Sequence, residues 1–213
     1  VCSSDLLAAL NTPVESGLPP LTSGFVGYIG YDMVRRLEDI GDDLVDDLGL
    51  PVACLMLVGE MAVLDHQRGE LWLISNQVVD GTDLDQTYDD AVDALEAMVT
   101  RLAEPREVLT ARAVDRAASQ VRRQRTPKIF GEMVDTAIER IRDGDIFQVV
   151  PSQRFDVETE ADALDIYRQL RRTNPSPYLY LLRLPGFDVI GSSPEALVTV
   201  ADGVATTHPI AGT

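Results

Sequence analysis

The strongest restriction on the fold lies in the last third of the chain, where apolar runs are joined by very short turns. "PYLYLLRL" at 177–184 is followed by a Pro-Gly turn, "DVIGSSPEALVTV" at 188–200, and "ADG" at 201–203. Parallel neighbours need a crossover of a dozen or more residues, so strands joined this tightly must return antiparallel. An antiparallel meander is therefore expected from residue 177 onward. Residues 51–65 and 70–79, on either side of "DHQRG" with Gly69 at the turn, read as a second hairpin. "FVGYIGYDMV" at 25–34 reads as a strand whose glycines allow close backbone packing.

Helical periodicity interrupts these strands. Tyr88, Val92, Leu95, Met98 and Leu102 recur at helical spacing across 84–103, and Glu104-Pro105 ends the pattern. Thr126-Pro127 supplies an N-cap and a first-turn proline to a helix with Ile129, Met133, Val134, Ala137, Ile138 and Ile141 on one face, stopped at Asp143-Gly144. A strand at 145–155 and a helix at 160–172 ending before Asn174-Pro175 complete the reading. The class expected is α+β. An N-terminal subdomain at 1–105, a crossover linker at 106–125 and a second domain beginning at 126 are the expected divisions. Trp72 is expected in the core, and His66, in the turn, is expected to be solvated.

Charge excludes some partners. Net charge is −17, from 35 acidic against 18 basic residues, which disfavours nucleic acid and anionic membranes. Glu60 ends the longest apolar run, "LPVACLMLVG", well short of the ~20 residues of a membrane helix. "VCSSDLLAAL" has neither the basic start nor the long apolar stretch of a signal peptide, and Cys2 and Cys54 do not suggest a disulfide framework or a zinc site. A cytoplasmic protein is expected. The start at Val1 and the abrupt "HPIAGT" at 208–213 lead to the expectation of a piece of a longer polypeptide, truncated at both ends.

Common catalytic signatures are missing: there is no P-loop, no GxGxxG after a strand, no HExxH and no CxxC, and two histidines make a histidine triad improbable. The remaining candidates are polar, glycine-containing strand ends: Gln148, the Asn174–Tyr178 turn, Gly191-Ser192-Ser193 and Gly212-Thr213. Such ends can hold a small anion through backbone N–H groups, although glycines there are more often only turns.

Five stretches in this order, "GFVGYIGYDMVRRLE", "IRDGDIFQVVPSQRF", "RRTNPSPYLYLL", "GSSPEALVTV" and "HPIAGT", resemble the chorismate-utilising enzymes, most closely the anthranilate synthase component I group, from about residue 20 onward. The resemblance implies an antiparallel β-sheet sandwich with outer helices, and makes residues 126–213 the first, incomplete part of a chorismate-binding catalytic domain. It implies chorismate as substrate, with Gly212 and Thr213 donating to it. It also implies Mg2+, whose glutamates, like the catalytic histidine, belong to a segment beyond the Pro-Ile-Ala-Gly-Thr turn. Glu195 receives no metal role.

Within that family two positions separate the nucleophiles. Aminodeoxychorismate synthases carry lysine where this chain has Ala211, and that amine attacks the ring. Isochorismate and salicylate synthases carry lysine where this chain has Gln148 and use it to activate water. An amide takes no proton near neutral pH. Ammonia brings its own lone pair and needs positioning, which suits Gln148 and Ala211. The single lysine, Lys128, lies away from both motifs.

The implied reaction is chorismate with ammonia, or glutamine through a glutamine amidotransferase subunit (component II), to anthranilate and pyruvate in tryptophan biosynthesis. Enzymatic alternatives are 2-amino-2-deoxyisochorismate or aminodeoxychorismate synthase. The alternative from another class is a non-catalytic tryptophan-binding or complex-forming module. The resemblance places feedback inhibition by tryptophan on Pro177, Tyr178 and Leu179, although the Leu-Leu-Glu-Ser motif that completes that pocket is absent from this sequence. Pro151, where many relatives have leucine, reads as an edge or bulge. The 213 residues by themselves are expected to be inactive.

Overall fold

The computed structural model describes residues 10, 15–41, 44–79, 81, 83–107 and 120–209. It separates into two compact units, Val1–Val108 and Leu109–Thr213. Helices accompany strand pairs in both, and every strand pair among the described residues is antiparallel. The α+β class holds.

In the first unit β1 (Phe25–Ile29) leads into a short 3-10 helix (Tyr31–Arg36), so the run expected to be one strand bends after its first half. β1 pairs with β2 (Ala53–Leu57). Gly27 is required there, since a Cβ would stand 1.9 Å from the Cys54 carbonyl oxygen. The apolar run at 51–65 divides at Val58-Gly59, and its second half, β3 (Glu60–Asp65), pairs with β4 (Glu70–Ser75). Asp65 Oδ1 accepts the Gln67 and Arg68 N–H groups at 2.8 and 3.0 Å, and Gly69 takes φ 69° to close the turn. Asn76 ties the two ribbons: its Nδ2 donates to the carbonyls of Thr22 at 2.8 Å and Val58 at 3.2 Å, and its backbone N–H to Gly59 O at 2.6 Å.

Helix α1 (Leu84–Ala103) packs on β4 and buries Met98. Asp83 caps it, accepting the Asp85 and Gln86 N–H groups. Trp72 is half-buried, which corrects the expectation of a core tryptophan; a two-stranded ribbon under one helix does not enclose an indole. His66 is exposed as expected.

The second unit runs β5 (Val121–Arg123), α2 (Pro127–Asp143), β6 (Phe155–Val157), α3 (Ala163–Thr173), β7 (Tyr178–Leu184), β8 (Phe187–Ser193), β9 (Thr199–Ala201) and β10 (Val204–Thr206). β5 lies inside the stretch read as linker and pairs with β6, where Arg122 bridges Asp156 at 3.0 Å. Thr126 Oγ1 accepts the Ile129 N–H at 3.3 Å and Pro127 opens α2, while Gly144 ends it at φ 82°. Two expectations need correction. The strand read at 145–155 is absent until Phe155, because residues 145–153 find no partner strand among the described residues and Pro151 has no N–H to give one; the Arg154 carbonyl accepts the Gln124 N–H at 3.0 Å and begins the pairing with β5. The meander is two separate hairpins, β7–β8 and β9–β10, interrupted at Pro194.

Candidate functional site

The β7–β8 hairpin follows directly from local chemistry. Pro185-Gly186 turns the chain, with Gly186 at φ 88°, and the strands pair along their whole length from Tyr178↔Ser193 to Leu184↔Phe187. Leu184 is buried at the closed end. Tyr180 lies across from Gly191, and a Cβ there would stand 2.1 Å from the tyrosine ring. The ring covers the glycine, a cross-strand pairing that compensates for the missing side chain.

Helix α3 packs against both strands. Its N-cap joins it to β7, because Asp162 Oδ1 accepts the Leu164 N–H at 2.8 Å and an Arg183 guanidinium N–H at 3.1 Å. The Leu164 N–H is the main reason the Asp162 carboxyl titrates below its usual range. Partial desolvation opposes the shift, and the charges of Arg183 and Arg168 support it.

At the open end the structure joins two of the expected strand ends. Ser192 Oγ lies 2.7 Å from the Asn174 carbonyl oxygen and 2.9 Å from Ser176 Oγ. Ser193 Oγ pairs with the backbone of Glu195, donating to its carbonyl at 2.9 Å and accepting its N–H at 3.4 Å. Both hydroxyls are thus committed within the protein, which leaves backbone N–H groups, the donors named in the sequence reading, as the groups this strand end could offer an anion. Pro177 and Tyr178 are exposed and Leu179 is half-buried, so the turn presents a surface. Tyr178 and Leu179 stand opposite Ser193 and Ser192. The serine link between turn and strand escaped the sequence reading; its only trace there is a serine beside a proline in both "NPSPY" and "GSSPE".

Gln148 is placed elsewhere, exposed on the strandless stretch after α2. Ala211, Gly212 and Thr213 lie outside the described residues. No group of three or more His, Cys, Asp or Glu side chains that could hold a metal ion occurs among the described residues, and Glu195 stands in no such cluster. These residues do not make a magnesium site. Two concavities in this unit, about 600 Å³ beside Arg122 and Glu158 and about 270 Å³ beside Phe130 and Phe155, include none of the candidate residues. No helix among the described residues is long and apolar enough to cross a membrane.

Residues 2–213 match the model of the chorismate binding enzyme family. The chain belongs to that family. It is 52% identical over 216 residues to anthranilate synthase component 1 of Mycolicibacterium smegmatis, a match covering 97% of this chain and 41% of that protein. It is 49% identical over 218 residues to the protein of the same name in Mycobacterium tuberculosis, covering 98% of this chain and 42% of that one. The solved structure of anthranilate synthase component I from Streptococcus pneumoniae superposes with a TM-score of 0.81 at 31% identity, over 96% of this chain and 46% of that one. The chain therefore spans less than half the length of these relatives.

Proposed function

We propose that this chain is part of an anthranilate synthase component I. In the reaction, ammonia adds at C2 of chorismate as the C4 hydroxyl leaves as water, and the ring then aromatises with loss of the enolpyruvyl group as pyruvate. The observation that carries the reading is 52% identity over 97% of the chain to a protein of that name. Gln148 and Ala211 support it chemically, since neither supplies an amine to attack the ring or a base to activate water. The ammonia comes from glutamine through an amidotransferase partner, and the enzyme works in the cytoplasm with Mg2+ held by residues outside those described.

Exposed apolar side chains support a longer parent protein. Phe147 is fully exposed and Val150 and Leu197 are 78% and 90% exposed, while among the described residues only Met98 and Leu184 are buried hydrophobics. Such surface is normally covered. Tryptophan acts as feedback inhibitor on the face of Pro177, Tyr178 and Leu179, a reading supported by the exposure of that turn.

A test of the nucleophile reading is Gln148→Lys, in a polypeptide of the relatives' full length that carries this segment, with products from chorismate and ammonium resolved by chromatography. The lysine variant is expected to release isochorismate at the expense of anthranilate. An unaltered product ratio with activity retained contradicts the role given to Gln148.

A further inference from the structure

The turn between α3 and β7 is poor in backbone donors, because two of its residues, Pro175 and Pro177, have no N–H. Its place in the fold must come from elsewhere. Asn174 is the C-cap of α3: its own N–H donates to Leu170 O at 2.8 Å, and its carbonyl lies among the helix-end carbonyls that have no partner inside the helix. Ser192, eighteen residues away on β8, reaches that carbonyl at 2.7 Å and Ser176 Oγ at 2.9 Å. A serine hydroxyl has one proton, so the two contacts have opposite polarity. Ser192 O–H donates to Asn174 C=O, and Ser176 O–H donates to Ser192 Oγ. A single hydroxyl joins the helix end, the proline turn and β8. Tyr180 covers the adjacent Gly191, and the backbone pairs Ser192 with Leu179.

We infer that Ser192 is a positioning residue for the effector site: its hydroxyl holds the Asn174–Pro177 turn against β8, and thereby sets the affinity for the ligand that Pro177, Tyr178 and Leu179 receive. The inference rests on the tryptophan reading above and goes beyond it, since Ser192 contacts no ligand and acts only through the turn.

The experiment compares wild type with Ser192→Ala, Ser192→Thr and Ser176→Ala, each in a polypeptide of the relatives' full length carrying this segment. Hydrogen–deuterium exchange of residues 174–179 reports the turn, and calorimetric titration reports tryptophan binding. Ser192→Ala is expected to speed exchange of the Ser176 and Tyr178 amides and to weaken tryptophan binding, each by roughly 3- to 10-fold, the range one hydrogen bond supplies. Ser192→Thr keeps a hydroxyl and should restore both. Ser176→Ala breaks the same relay, so its effects should not add to those of Ser192→Ala, and it serves as the test should Ser192→Ala fail to fold. Unchanged exchange in the alanine variants overturns the clamp. Faster exchange with unchanged affinity overturns the positioning role. Absence of binding heat in wild type at millimolar tryptophan overturns the effector reading itself, and the exchange data distinguish that failure from failure of the clamp.

Discussion

Two apolar stretches of the second unit, 145–154 and 178–193, are both rich in β-forming residues, yet only the second is a pair of strands. In 178–193 the partner follows after a two-residue turn, so pairing costs little loop entropy; every residue from Tyr178 to Leu184 has a cross-strand partner, and Tyr180 covers Gly191. In 145–154 the sequence "DIFQVVPSQR" has no partner strand among the described residues before Arg154, whose carbonyl accepts the Gln124 N–H, and Pro151 removes a donor. β propensity describes how a side chain fits a pleated, half-covered surface, and without that surface it organises nothing. The consequence for the candidate site is direct. Tyr178 and Leu179 are fixed by register, whereas Gln148 is not.

The contrast is broken most severely at Gly191. A Cβ there meets the Tyr180 ring at 2.1 Å, so Gly191→Ala forces the ring away and should cost the second unit about 1–3 kcal/mol, read in denaturant unfolding. A loss under 0.5 kcal/mol contradicts the packing described. Next comes Gly144, whose φ of 82° ends α2 just before the strandless stretch; Gly144→Ala should cost about 1 kcal/mol.

A pH titration sharpens the comparison further. Asp162 has a depressed folded-state value, so its contribution is present above the unfolded value and is lost as pH falls through the folded one. Thermal stability of the helix–hairpin assembly should decline below about pH 4, and Asp162→Asn should flatten that decline. At the small end is Phe147→Ala. The ring is fully exposed, so in the 213-residue chain the change should stay within about 0.5 kcal/mol. A larger loss would show that residues 145–154 are packed after all.

What the sequence made legible follows from range. Thr126-Pro127, Asp143-Gly144 and Pro185-Gly186 act on their immediate neighbours, and the elements they bound are α2 and the β7–β8 hairpin. The α1 boundaries at Leu84 and Ala103 matched the apolar spacing for the same reason. Contacts that bring distant residues together were not legible. The Ser192–Asn174 and Asp162–Arg183 bonds span 18 and 21 residues and depend on how α3 lies on the hairpin, which no local pattern encodes. Burial failed similarly at Trp72, because a residue type expresses a preference for cover without specifying what supplies it. The roles given to Gln148, Ala211, Gly212 and Thr213 came from resemblance rather than from geometry.

The most direct test of the account is product analysis with a polypeptide of the relatives' full length that carries these residues, supplied with chorismate, ammonium and Mg2+. Anthranilate and pyruvate appearing in equal amounts is the predicted result. Accumulation of 2-amino-2-deoxyisochorismate without anthranilate, or of isochorismate, would contradict it.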